Sequence, residues 1–265
     1  MIAFKFLNEI FSRRFLIYTL AKRDFQNQYT GSYFGVIWNF LQPIAFIFIL
    51  WFVLSIGFNS KSAGNTNQIF WLVAGMICWL YFSDVFSTST QIIQQYSFLI
   101  KKVDFSLGIL PIVKILSASI NHWIFLFLTA LFGLFLGVTP TIYWVQLFYY
   151  AVATQVILLG LCWLTSSTAI FVKDINNVVA ILVQFGFWLT PVFWSIDNVP
   201  QKYHWIIKLN PLVYLVTGYR DSLISQIPFW QRPVETIYFW VVTLFTLLIG
   251  TLVFKRLRPH FAEVI

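Results

Sequence analysis

The sequence alternates between long apolar runs and short polar stretches along most of its length. Six apolar runs are each near or above the roughly 20 residues that a helix needs to cross a bilayer. They are apolar all round, as is typical of helices surrounded by lipid or by other helices. The pattern predicts an all-α, polytopic membrane protein, a single domain over 1–265 with six transmembrane helices. The predicted spans lie at about 34–57, 69–87, 109–137, 142–170, 177–196 and 234–254.

The N-terminal residues have a different period, with apolar side chains three or four positions apart. On a helix over 4–21, one side carries Phe4, Leu7, Phe11, Phe15 and Tyr18, and the other carries Lys5, Glu9, Ser12 and Arg13. Such a helix is too charged to span, and its amphipathic character predicts a helix that lies in the membrane interface. An ordinary cytosolic helix packed on the bundle is the alternative interpretation.

The segment 197–233, before the last span, carries helix signals of its own. Asn210 suits an N-cap and Pro211 the first helical position, and apolar residues then recur at helical spacing as far as Leu223. A second short helix is predicted around 202–209. Both are too short to span, so they form either short re-entrant helices or helices lying flat on the outer surface.

The segment 91–108 joins predicted spans two and three. Ile92, Tyr96 and Leu99 form an apolar ridge, followed by Lys101 and Lys102. This pattern predicts either a short amphipathic helix that docks a soluble partner or a solvated loop.

Composition supports the membrane assignment, since 59% of residues are hydrophobic and 10% are charged, against about 25% charged in soluble domains. If the N-terminus is inside, only five of the 17 Lys and Arg residues fall on the outer side: Lys61, Lys202, Lys208, Arg220 and Arg232. This bias predicts that both termini are cytoplasmic. It also accounts for the net charge of +8, so no nucleic-acid partner is expected.

Several chemistries have no sequence signature in this chain. It contains no phosphate-binding loop, no HExxH and no Cys/His cluster, so we expect no metal site and no ATP binding by that loop. Among the acidic residues, only Asp84 approaches a span interior, whereas proton-coupled carriers place ionisable groups near the midplane. The driving force is therefore expected from a partner. For His122, a hydrogen bond within the bundle and a proton relay are the two interpretations.

Span one carries polar residues at positions where they cost free energy in lipid. Asn39, Gln42 and Pro43 lie inside the apolar run 34–57. Such residues usually face a bundle interior or a pore.

Motifs in one order along the chain resemble the membrane subunit of ABC exporters for lipid-linked polysaccharides, the O-antigen, capsular polysaccharide and teichoic acid export permeases. The first motif is met by Arg23, Asp24, Phe25, Tyr29, Gly31, Ser32, Gly35, Trp38 and Pro43, with Gln28 where a basic residue is usual. Later matches are Leu99 to Val103 with Phe105, Pro111, Phe171 to Ile175, Thr190 to Val192, Asn210-Pro211 and Tyr219-Arg220. Ser106 stands in place of a proline, and Lys173 in place of an arginine.

The resemblance implies a homodimer of six-span subunits in the bacterial inner membrane, with two copies of an ABC ATP-binding subunit on a separate chain. ATP and Mg²⁺ would bind that partner, so this chain would have no cofactor and would not be an enzyme. The implied substrate is an undecaprenyl-diphosphate-linked polysaccharide. A permease for a drug, peptide or simple lipid is an alternative, as is a polyprenyl-lipid transferase.

Within this resemblance the residues acquire expected roles. Lys22, Arg23 and Asp24 would lie at the substrate entrance, where Arg23 either binds phosphate or pairs within the protein or with lipid. Coupling to the ATPase is expected from Leu99, Lys101, Lys102 and Phe105, and the outer re-entrant motif comprises Asn210, Pro211, Tyr219 and Arg220. A channel walled by spans one and five, where aromatic faces stack on sugar rings, would be lined by Phe34, Trp38, Asn39, Gln42, Phe187, Trp188 and Trp194.

Overall fold

The computed structural model describes residues 12–28, 30, 33–57, 67–100 and 107–264. Within these ranges every regular element is a helix. The α-helices are α1 (Arg14–Asn27), α2 (Ile37–Phe52), α3 (Gln68–Ser89), α4 (Ile92–Gln95), α5 (Ser97–Ile100), α6 (Leu110–Phe135), α7 (Gln146–Ala169), α8 (Ile175–Leu189), α9 (His204–Lys208), α10 (Pro211–Arg220), α11 (Pro233–Leu257) and α12 (Phe261–Val264).

Short turns of other helix types extend or connect these elements. The 3₁₀ turns are Leu107–Ile109, Ile142–Val145, Ile196–Asn198, Gln201–Tyr203, Phe229–Gln231 and Arg258–His260, and the π turns are Val53–Gly57 and Asp221–Ser225.

Five helical segments are long and apolar enough to cross a membrane. They run over Ile37–Gly57, Gln68–Ser89, Leu107–Phe135, Ile142–Ala169 and Pro233–His260, and they correspond to predicted spans one to four and six. The all-helical prediction is therefore confirmed over the described residues, and five of the six predicted spans are candidate membrane spans.

The predicted fifth span, 177–196, is shorter in the structure. Helix α8 ends at Leu189 because Thr190 adopts an extended conformation before Pro191, and the residue preceding a proline disfavours the helical region. At about 1.5 Å per residue the helix measures about 22 Å, less than the roughly 30 Å of a bilayer core.

The buried side chains form two groups. The larger group surrounds α3, most of which is buried, and includes residues of α6, α7, α8, α10 and α11. The smaller group lies at the end of the bundle predicted to face the cytoplasm. There Ile17 and Leu20 of α1 pack with Ile92, Ile93 and Leu110. The N-terminal helix is therefore anchored to the base of the bundle.

Helix α1 covers only the end of the predicted amphipathic helix over 4–21, since residues 1–11 lie outside the described part of the chain. Ile17 and Leu20 face the bundle, whereas Phe15 and Tyr18 are 81% and 66% exposed. Phe15 and Tyr18 belong to the face expected to meet the membrane. Helix α1 thus packs on the bundle through one side and leaves that face open.

Candidate functional site

A buried polar cluster at the base of the bundle is centred on Asp24. The Lys114 ammonium lies 3.2 Å from Asp24 Oδ2, and the two side chains are only 7% and 9% exposed. Tyr96 donates its hydroxyl to Asp24 Oδ1 at 3.4 Å, and Gln28 Nε2 donates to Oδ2 at 3.3 Å. Burial next to this carboxylate raises the pKa of Tyr96 to about 12. Asp24 thereby joins α1 to α6 and to the segment after span two.

Arg23 and Lys22, the other two residues expected at the substrate entrance, point away from this cluster. Both side chains are exposed, and Asp24 pairs with Lys114 rather than with Arg23. Lys22 and Arg23 have no ion-pair partner within the described ranges, so both charges are accessible to an anionic ligand.

Above this cluster, a cavity of about 400 Å³ lies between span one and the two spans that follow it. Its lining includes Gln28, Trp38, Asn39, Gln42, Pro43, Tyr81, Ser83, Asp84, Asn121, His122 and Phe125. Three of the seven side chains predicted to line a channel, Trp38, Asn39 and Gln42, therefore share one cavity within a single copy of the chain. The polar residues of span one face it, in keeping with the cost of placing amides in lipid.

His122 lies at the inner wall of this cavity. Its Nε2 is 2.8 Å from the Tyr219 hydroxyl, and its ring stacks on Tyr81 with 4.4 Å between centroids. The interpretation that His122 hydrogen-bonds within the bundle is thus confirmed.

The remaining aromatic residues predicted to line a channel have different environments. Phe187 is half-buried, with its ring against Trp79 and Phe193. Phe34 and Trp188 are 53% and 61% exposed. Trp194 is partly buried, and its indole N–H donates to the Trp188 carbonyl at 3.1 Å.

The outer segment folds into the helices predicted for it. Asn210 caps α10 by accepting from the Leu212 N–H at 3.0 Å, and Pro211 occupies the first turn. The Asn210 side chain also donates to Thr190 Oγ1 at 2.8 Å. The Asn-Pro motif therefore both starts α10 and fastens it to the end of α8.

Arg220 is a second buried anchor of this segment. Its guanidinium donates to the carbonyls of Pro191 (2.6 Å), Val192 and Trp71 (3.3 Å), and it stacks on the Trp71 ring at 3.4 Å. Gly75 makes this possible, because a Cβ there would collide with the guanidinium. Burial lowers the pKa of Arg220 to about 9, which leaves the group charged at neutral pH.

The residues predicted to couple to an ATPase lie largely outside the described ranges. This holds for Lys101, Lys102 and Phe105 and for the side chain of Leu99. Ile92 and Tyr96, the first two positions of the predicted ridge, are buried in the basal group. That part of the ridge packs on the protein's own bundle.

Sequence reasoning missed the partner of Asp24. From sequence, Lys114 is only one of the Lys and Arg residues assigned to the cytoplasmic side, although it lies inside the apolar run 109–137. A lysine at such a position requires a counter-charge, and this signal identifies it as a paired residue. The distance of 90 positions between the two residues left the partner itself undetermined.

Comparison with known proteins identifies related sequences over nearly the whole chain. The family described as ABC-2 type transporter matches residues 15–224. Two proteins named O-antigen export system permease protein RfbA, from Klebsiella pneumoniae, are each 22% identical over 94% of this chain and 95% of their own length. A protein of the same name from Myxococcus xanthus is 25% identical over 98% of this chain and 99% of its own.

Proposed function

We propose that this chain, which belongs to the ABC-2 type transporter family, is the permease subunit of an exporter for lipid-linked polysaccharide. As a member of that family it is a transport subunit rather than an enzyme. The observation that carries the proposal is its similarity to O-antigen export permeases over 94% to 98% of its length.

The proposed assembly is a homodimer with two ATP-binding subunits on a separate chain, in the bacterial inner membrane with both termini cytoplasmic. Span one supports the homodimer, because it is almost entirely exposed in a single copy of the chain. We propose that α8 and the residues after it complete a sixth span and that α9 and α10 are re-entrant. The exposed Phe15 and Tyr18 favour an N-terminal helix at the interface.

Recognition of the substrate would begin at the exposed Arg23 and Lys22. A guanidinium binds phosphate oxygens bidentately, which suits the diphosphate of an undecaprenyl carrier. Arg23→Ala at unchanged protein abundance is therefore expected to reduce export. Unchanged export would reject the phosphate role of Arg23.

Coupling is proposed for the segment 91–108, with Leu99, Lys101, Lys102 and Phe105 against the ATPase. Reversing the charges of Lys101 and Lys102 should separate ATP hydrolysis from export. If both processes remain coupled, the two lysines serve only to orient the chain in the membrane.

The proposed function is tested by removing the gene from its own host and measuring polysaccharide on the cell surface. We expect surface polysaccharide to disappear and lipid-linked glycan to accumulate on the cytoplasmic side of the inner membrane, with both effects reversed by the intact gene. Co-purification of an ATP-binding subunit would establish the partner. Unchanged surface polysaccharide would overturn the proposal and favour a permease for a drug, peptide or simple lipid.

A further inference from the structure

His122 lines the cavity between spans one, two and three, and one of its ring nitrogens has no partner among the described residues. His122 is 2% exposed, and its Nε2 is engaged by Tyr219. No hydrogen-bond partner for Nδ1 is found among the described residues. Buried polar groups are nearly always hydrogen-bonded, so this unpaired ring nitrogen is a candidate contact for a ligand or water in the cavity.

The hydrogen bond to Tyr219 constrains what that ligand can be. If Nε2 accepts from the tyrosine, Nδ1 carries the proton and donates; if Nε2 donates, Nδ1 accepts. A hydroxyl group satisfies either arrangement, because it donates one hydrogen bond and accepts others.

Asp84 determines which ligand charge is favoured in the cavity. Its carboxylate has no hydrogen-bond or ion-pair partner in the part of the chain that the structure describes, and it alone is charged among the described lining residues. An ionised carboxylate only accepts hydrogen bonds, so it suits hydroxyl donors and repels phosphate. A neutral ligand that bears hydroxyl groups therefore suits this cavity better than a diphosphate.

The other walls supply two further types of contact. Asn39 and Gln42 present amides that both donate and accept, and Trp38 and Phe125 present aromatic rings. Rings pack on apolar faces, while amides and a carboxylate bind the hydroxyls at the edge of the same molecule. The volume of about 400 Å³ falls within the roughly 300–1,000 Å³ of small-molecule sites.

From this combination we infer that the cavity is a binding site for a neutral sugar unit of the exported glycan, formed by His122, Asp84, Asn39, Gln42 and Trp38. This inference rests on the proposed function and goes beyond it. It assigns the sugar to a pocket within one copy of the chain, separate from the exposed cations proposed for the diphosphate.

The test measures how fast a small neutral maleimide labels a cysteine placed in the cavity. Ser83 lines the cavity, and Ser83→Cys changes little in size. Val172→Cys, at an exposed position outside it, is the matched control. The native Cys78 and Cys162 are buried. Labelling of the chain without an added cysteine measures the background signal from these two residues. The probe is the host's own glycan, present in one strain and absent from a second that lacks the first glycosyltransferase.

We expect glycan to slow labelling of Ser83→Cys about threefold when it is present at about twice its dissociation constant, with Val172→Cys unchanged. Equal and fast labelling in both strains would mean a water-filled cavity and would overturn the inference. Equal and slow labelling would mean occupation by lipid and would overturn it as well.

Two substitutions of Asp84 show whether the protection arises in the cavity. Asp84→Asn keeps a hydrogen-bonding side chain and should retain protection, whereas Asp84→Leu should remove it. Loss of protection in both would indicate binding of a cation and reject a neutral sugar.

Export is measured in the same cells. If export is intact but the labelling rate does not depend on glycan, the sugar site is rejected and the proposed function stands. If export continues without this chain, the proposed function itself is rejected.

Discussion

Lys114 and Asp24 form an ion pair 3.2 Å long that is buried at the base of the bundle. The pair joins the N-terminal helix to span three. The Tyr96 hydroxyl, from the segment after span two, donates a hydrogen bond to the same carboxylate. Asp24, expected at the substrate entrance together with Arg23, thus holds together the three elements that meet there.

Lys114→Met should destabilise the protein strongly, because it leaves the buried Asp24 carboxylate without its counter-charge. Removing one partner of a buried ion pair costs about 3–5 kcal/mol. The measurement is the thermal unfolding midpoint of the purified protein in detergent. Arg23→Met, which removes an exposed cation next to Asp24, is the control and should change the midpoint little.

The double variant Asp24→Asn, Lys114→Met removes both charges and should be more stable than Lys114→Met alone. This follows because a neutral pair avoids the desolvation of an unpaired charge. Strictly additive losses would contradict a direct interaction between the two side chains.

Arg220→Lys should loosen the outer segment although the charge is kept. A lysine cannot reproduce the planar fork that reaches three carbonyls, and each hydrogen bond lost from a charged group costs about 1.5–3 kcal/mol. The unfolding midpoint measures this loss. Arg23→Lys is the matched control, since that guanidinium is exposed and has no ion-pair partner within the described ranges. Equal losses in the two variants would contradict the anchoring role of Arg220.

Gly218→Ala should destabilise the contact between α10 and span four. A Cβ at this position would collide with the Tyr150 ring, and overpacking a buried contact costs about 1–3 kcal/mol. Adding Tyr150→Leu should recover part of the loss by opening space. No recovery in the double variant would show that the collision is not with this ring.

Phe187 and Trp188 are adjacent in sequence, and their alanine variants should affect different properties, stability in one case and export in the other. Phe187→Ala removes ring contacts to Trp79 and Phe193 and should lose part of the roughly 3–5 kcal/mol measured for a fully buried phenylalanine. Trp188→Ala, at an exposed position, should leave the unfolding midpoint nearly unchanged and reduce export if this ring lines the channel. Unaltered export with Trp188→Ala would remove this residue from the proposed channel.

The sequence determined the elements that depend on local composition. The long apolar runs form five helices that are candidate spans. In a bilayer core the backbone N–H and C=O groups have no water to bind, so they must hydrogen-bond to each other within a helix. Asn210-Pro211 starts a helix because its cap and its proline act on the adjacent turn alone. The ordered motifs likewise pointed to the transporter family that matches residues 15–224.

Tertiary structure decided which residues meet, since contacts between distant positions leave no local pattern. Asp24 and Lys114 are 90 positions apart, and His122 and Tyr219 are 97 apart. Their pairing depends on how the helices pack. The same packing brings Asn39, Asp84 and His122 around one cavity. Hydropathy alone shows that such polar groups avoid lipid, and only the assembled bundle shows what they face instead.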